Sequence, residues 1–249
     1  MGCPLSRRVE EREMDRGGTL KGYVFVWDAE THERVWKLQV DYDDDVRVAE
    51  NIYAIDFSPD STKLVSASWN WTATIWDVAT GKKTRTLQHK QSVIATRFSS
   101  DSDRIATATP HSVQVWNSED GQLLVDISVT VTSSYNDGLR WFNNHIFIVS
   151  GSAIKQLDAS TGSTVYGWQV PNSDFYSCIA VTRHGEFIAY STKRSVTFWD
   201  TSSHLQIGLV EHTENICSIE LSPDNGSLAI AGCYGTIITE RLSHITVST

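Results

Sequence analysis

Cysteine is scarce in this chain: Cys3, Cys178, Cys217 and Cys233 are all that occur in 249 residues. No two stand in a CxxC spacing, so neither a disulfide framework nor a zinc site is indicated, and free thiols are expected. Positive charge is also short. Twenty-one Lys and Arg against 30 Asp and Glu leave a formal charge of −9, which argues against a surface that tracks nucleic-acid phosphates. No apolar run approaches the roughly 18 residues of a membrane-spanning helix, and the N-terminal stretch lacks the apolar core of a secretory signal, so a cytoplasmic location is expected. There is no GxSxG turn, no HExxH helix and no Gly-rich phosphate loop. No catalytic residue, metal ligand or cofactor site is therefore nominated, and an enzyme is not expected. What the chain does have is bulk: nine Trp, eight Tyr and eight Phe suffice for a packed interior.

A short alternating segment ending in Trp-Asp recurs. It reads Val24-Phe25-Val26-Trp27-Asp28, Thr74-Ile75-Trp76-Asp77, Val113-Gln114-Val115-Trp116-Asn117 and Val196-Thr197-Phe198-Trp199-Asp200. Ile154-Lys155-Gln156-Leu157-Asp158 and Ile237-Ile238-Thr239-Glu240 keep the alternation without Trp. Successive ends lie 49, 40, 41, 42 and 40 residues apart, a period that marks stacked repeats. After each end comes a turn such as Asp77 to Gly81, Asn117 to Gly121 or Asp158 to Gly162, with His32 and His204 in the glycine's place in two variants. Asp or Asn opens such a turn by bonding backbone ahead of it, and Gly closes it in the left-handed conformation.

A second turn recurs as Phe57-Ser58-Pro59-Asp60, Phe98-Ser99-Ser100-Asp101 and Leu221-Ser222-Pro223-Asp224. Runs of five or six residues with period-two alternation fill the intervals, which reads as short antiparallel strands. In the second unit these lie near 52–57, 63–68, 72–76 and 84–87. Leu139-Arg140-Trp141 makes a poor inner strand, and 244–248 a poor outer one.

Four strands per 40 to 45 residues resembles the WD-repeat family over residues 23–247. The resemblance implies an all-β β-propeller of four-stranded antiparallel blades, five full and one partial, over 23–249. A charged arm, 1–22, would precede it as a short helix or disordered segment without strands to contribute. The partial blade leaves three alternatives open: closure as a strained six-bladed ring, a truncated gene product, or completion by a partner's strands. An open edge would invite self-association. Of the family's His, Ser/Thr, Asp and Trp network, His89, Thr107 and Trp116 match in the third unit. Asn70 stands where Asp is expected in the second, with Ser66 or Ser68 and Trp76 available. His212 enters the sixth without a Trp.

The family role is non-catalytic protein-protein interaction, a scaffold in complex assembly or signalling, with other proteins as partners. The long first interval holds an acidic loop in which Asp43, Asp44 and Asp45 are candidate contacts for a basic partner; it lacks the Gly and distal Glu of an EF-hand, so calcium is not expected. On the same face should stand Trp69 and Trp71, flanking Asn70 in a tight turn where neither ring has a strand neighbour to cover it. His111, Tyr135, Phe175, Lys193, Arg194 and Tyr234 occupy comparable turns. Met1-Gly2-Cys3-Pro4-Leu5-Ser6 fits myristoylation at Gly2 and palmitoylation at Cys3, which would make the protein a membrane-tethered signalling component. A propeller hydrolase is the least supported alternative, because Ile52, Val93, Tyr176 and Ile216 stand where a polar funnel needs Asp, Glu or His. Cys178 and Cys217 fall at opposite alternation phases, which disfavours a shared metal site.

Overall fold

A computed structural model of the chain describes residues 5–8, 23–40, 51–132, 138–170, 177–222 and 224–242. They form two units, Met1–Ser128 and Val129–Thr249. The first holds three sheets: β1 (Leu5–Arg8), β2 (Tyr23–Asp28) and β3 (Arg34–Gln39); β4 (Ile52–Phe57), β5 (Lys63–Ser68), β6 (Thr72–Asp77) and β7 (Lys83–Gln88); and β8 (Ala95–Phe98), β9 (Arg104–Thr109), β10 (Ser112–Asn117) and β11 (Leu123–Ser128). The second also holds three: β12 (Leu139–Phe142), β13 (His145–Ser150), β14 (Ala153–Asp158) and β15 (Thr164–Gln169); β16 (Ile179–Val181), β17 (Phe187–Ser191), β18 (Ser195–Asp200) and β19 (Gln206–Glu211); and β20 (Ile216–Leu221), β21 (Ser227–Gly232) and β22 (Ile237–Arg241). Every pairing is antiparallel between strands consecutive in sequence, and no α-helix occurs among the described residues.

The expected units are therefore present, with two corrections. Leu5–Arg8, read from sequence as part of a strandless arm, pairs antiparallel with β2 in the register Leu5↔Asp28 to Arg8↔Phe25. A charge-rich segment can join a sheet edge because the backbone ladder is indifferent to side-chain polarity. The second correction concerns alternation. From Leu64 to Ser68 in β5, and likewise from Ile105 to Thr109 in β9 and Ile146 to Ser150 in β13, every residue is buried. These second strands are covered on both faces, which abolishes the half-buried pattern. On one face of β4–β7, Leu64 and Trp76 pack with Val24, Val26 and Leu38; on the other, Val65, Ala67 and Ile75 pack with Phe98, Ile105 and Trp116. The outermost strands are the reverse: β3, β7, β11 and β15 have one buried position each, Leu38, Leu87, Ile127 and Trp168, and β19 and β22 have none.

Neighbouring sheets are also tied by hydrogen bonds at one fixed separation. Trp36 Nε1 donates to Val78 O (2.9 Å), Phe98 N to Asp56 Oδ2 (2.8 Å), Asp60 N to Ser102 Oγ (3.2 Å) and Arg183 N to Asn225 Oδ1 (3.0 Å), all spanning 42 residues. The period of the sequence is thus the distance along the chain from one sheet to the same place on the next.

The turns follow their residue chemistry. Gly81, Gly121 and Gly162 have φ of 66°, 75° and 75°, and His32 and His204 take the same conformation at 58° and 62°. At Gly81 a Cβ would come within 2.6 Å of the Trp36 ring, so the position needs glycine for space as well as for φ. Asp200 accepts from the Ser203 and Ser202 amides and both hydroxyls. These donors, the Ser203 amide foremost, bring its carboxyl down to about 2.

In the third sheet, His89 Nδ1 donates to Leu87 O (2.9 Å), Thr107 Oγ1 donates to His89 Nε2 (2.8 Å), and Trp116 Nε1 donates to Thr107 Oγ1 (2.9 Å). The predicted trio is complete and buried. In the second sheet the Trp76 indole selects Ser66 Oγ at 3.0 Å over Ser68. His212 Nδ1 sits 3.0 Å from Glu214 O without a Trp.

Thr107→Val would strand two buried polar groups at once and is expected to cost about 2–4 kcal/mol, measured as the shift of the urea midpoint. Burial drives the His89 pKa from its ordinary 6.5 down to about 4. Between those values the unfolded chain binds a proton that the folded chain refuses. The stability contributed by neutral His89 is thus complete above about pH 6.5 and is lost as pH falls towards 4. In His89→Gln that part of the pH dependence should vanish from denaturation midpoints recorded across this window.

Candidate protein-interaction surface

The turn between β5 and β6 is built from Trp69, Asn70 and Trp71. Asn70 Oδ1 accepts from Thr72 N (3.1 Å) and Thr72 Oγ1 (2.6 Å), so the amide does the bracing expected of an Asp there. Trp69 N donates to Asn51 O and His89 N to Trp71 O, both at 2.9 Å. Trp71 has φ of 68°, a region in which a bulky side chain sits at a cost of about 1–3 kcal/mol. The two indoles are 42% and 49% exposed. Trp71 thus combines a left-handed backbone with a ring that is half in solvent.

Trp69 is not without a neighbour, contrary to the sequence expectation. Tyr53 meets it edge to face, with ring centroids 5.8 Å apart. The reason is a β-bulge: Ile52 registers with Ser68 but Ala54 with Ala67, leaving Tyr53 as an extra residue. A bulge slips the alternation by one and turns the following side chains to a new face. Tyr53 escaped sequence reasoning, though a signal existed. Ala54 and Ile55 are both apolar and adjacent, which an unbroken half-buried strand would not show.

Of the other nominated residues, Asp43, Asp44, Asp45, Gly2 and Cys3 lie outside the described residues, as do Tyr135 and Phe175. His111, Lys193 and Arg194 are exposed in turns, and Tyr234 is 83% exposed. Lys193 and Arg194 line an open polar cavity of about 680 Å³ with Thr192, Ser195, Glu211 and His212. Among the described residues no three His, Cys, Asp or Glu gather as metal ligands.

The chain is similar to one described family and to several WD-repeat proteins. The β-propeller family described as nucleolar protein 10-like, N-terminal domain, matches residues 6–172. The serine-threonine kinase receptor-associated protein of Gallus gallus is 23% identical over 184 residues, 73% of this chain and 52% of that protein. The WD repeat-containing protein 26 homolog of Drosophila melanogaster is 33% identical over 132 residues, 48% of this chain and 21% of its own length. WD repeat-containing protein 1 of Mus musculus is 46% identical over 57 residues, 23% of this chain and 9% of that protein. The chain spans about half the length of these relatives or less.

If Tyr53 braces Trp69, a double-mutant cycle of Tyr53→Ala and Trp69→Ala should return a coupling of about 0.5–1.5 kcal/mol in unfolding free energy. A coupling near zero would mean that the rings merely adjoin.

Proposed function

This chain belongs to the WD-repeat β-propeller family, and we propose that its repeats form a non-catalytic scaffold that docks other proteins in complex assembly or signalling. The observation that carries the reading is the Trp69–Trp71 turn, two half-exposed indoles on a backbone fixed by four hydrogen bonds. Rigid presentation lowers the entropy lost on binding, and Trp is over-represented among residues that dominate interface energetics. The acids at 43–45 would extend the same patch and favour a partner segment rich in Lys and Arg. One relative is named for association with a serine-threonine kinase receptor, which agrees with a docking role for repeats of this kind without identifying the partner here.

The test is the double variant Trp69→Ala, Trp71→Ala used as bait in native lysate beside the wild type. Truncating an anchor pair of this kind should lower partner affinity by about 30-fold or more, while the double variant still unfolds cooperatively, its urea midpoint lowered by no more than the lost Tyr53 contact accounts for. Undiminished recovery of partners by a folded double variant would reject the patch.

A further inference from the structure

We propose that Cys217 and Cys233 are a redox-responsive dithiol, which an oxidant of the peroxide class closes into a disulfide within the sheet β20–β22. Their Sγ atoms lie 2.7 Å apart although sixteen residues separate them in sequence. Neither residue belongs to a CxxC pattern, and a regular ladder would not bring them together. In an unbroken register Ser218↔Ala231 would be followed by Cys217 opposite Gly232, putting Cys217 and Cys233 on opposite faces of the sheet. The observed register is instead Ile216↔Gly232. Cys217 is the extra residue of a bulge, and the slip turns its thiol to the face that Cys233 occupies.

This is the device that unites Tyr53 with Trp69 in the first unit. Both members of the thiol pair stand 164 residues after their aromatic counterparts. One backbone feature has been loaded with two rings in one repeat and two thiols in another.

The surroundings suit oxidation better than metal binding. Cys178, the remaining described cysteine, directs its sulfur to the backbone oxygen of Cys217 at 3.2 Å and does not supply a third thiolate. Glu214 is occupied by the Thr236 hydroxyl at 2.7 Å. Gly232 leaves room for this contact, since a Cβ there would lie 2.4 Å from Thr236 Oγ1 and 2.5 Å from Glu214 Oε2. Cys233 is exposed and Cys217 is half-buried behind it. Burial first, then Cys233 and Glu214, push the Cys217 thiol up to about 11, so it keeps its proton at neutral pH. Cys233, the more exposed of the two sulfurs, is the one that an oxidant in solution reaches first.

In the first step the Cys233 thiolate attacks one oxygen of the peroxide. An S–O bond forms, the O–O bond breaks, and the departing hydroxide takes a proton to leave as water. In the second step the sulfur of Cys217 attacks Sγ of the resulting sulfenic acid. The S–S bond forms, the S–O bond breaks, and the Cys217 proton leaves with the hydroxide as a second water. Two thiols are oxidised by two electrons and one peroxide is reduced to two waters. The product staples β20 to the end of β21 across the Ser222–Gly226 turn, and dithiol reductants reverse it by exchange.

The experiment uses the purified full chain, reduced and then exposed to equimolar hydrogen peroxide. The oxidised protein should be lighter by two hydrogens, about 2 Da, and its iodoacetamide-reactive thiols under denaturing conditions should fall from four to two. A glutamate-specific protease cuts after Glu214, Glu220 and Glu240, so peptides 215–220 and 221–240 should run as one species that dithiothreitol separates. Cys178→Ser should behave like the wild type. Cys217→Ser should leave a Cys233 sulfenic acid that dimedone traps, and Cys233→Ser should form no intrachain link. Should either variant fail to fold, the wild-type digest decides alone. Four reactive thiols after treatment, a link to Cys178 or Cys3, a dimer joined through Cys233, or direct passage of Cys233 to sulfinic acid would each overturn the proposal.

Discussion

A sheet that is apolar on both faces has to be covered on both, and that requirement governs this chain. The second strand of each four-stranded sheet is buried along nearly its whole length. An isolated repeat would leave one such face in water at roughly 25 cal/mol for each Å² of apolar surface. Within each unit the clusters accordingly straddle neighbouring sheets: Leu64 and Trp76 with Val24 and Leu38, Ala180 and Phe198 with Ile216 and Ile230. The 42-residue hydrogen bonds give this stacking its register. Hydrophobic contact alone would tolerate sliding; a backbone amide of Phe98 seated on the buried carboxylate of Asp56 does not.

Such a stack leaves the strand ends among the described residues uncovered, and the bulge on the first strand sets what appears there. The extra residue is Tyr53 in one repeat and Cys217 in another. In the third sheet Ile94 N–H donates to Ala108 O while Ala95 registers with Ala108, so Ile94 takes that place. The backbone is repeated and the side chains delivered by it are not. Aromatic rings meet edge to face in one repeat, an aliphatic side chain stands there in another, and two thiols come together in a third.

Much of this architecture was legible because it depends on local chemistry. Asp and Asn at turn openings, and glycine four places later, follow from conformations that few residues tolerate, and the structure gives those glycines positive φ. The strands near 52–57 and 63–68 were found for the same reason: their ends are marked by turns. What escaped came from register. Every outer strand in five sheets carries one extra residue just after the partner of the recurrent Trp or Leu, as at Thr84 and Val165. The inner bulges at Tyr53 and Cys217 likewise reverse which face a residue occupies. Period-two reading assumes a constant phase, so neither the Tyr53 contact of Trp69 nor the meeting of Cys217 with Cys233 could be read from it. The edge strand Leu5–Arg8 was missed because its sequence, Leu-Ser-Arg-Arg, carries no alternation of apolar residues.

The polar network and the candidate contact turn belong to one construction. His89 donates its backbone N–H to the carbonyl of Trp71, while its ring is locked by Thr107, which is itself fixed by Trp116. The chain leaving β7 is therefore held at the spot where it must meet the left-handed Trp71. Strain at a bulky residue persists only where its neighbours over-determine the backbone, and here the determining contacts come from two sheets, with Asn70 adding a third constraint from within the turn. A trio that looks purely structural thus positions an exposed indole. The consequence is that weakening Thr107, whose hydroxyl holds the His89 ring, should loosen the bond from His89 N to Trp71 O before it opens the ladder of β6 and β7, which does not pass through His89.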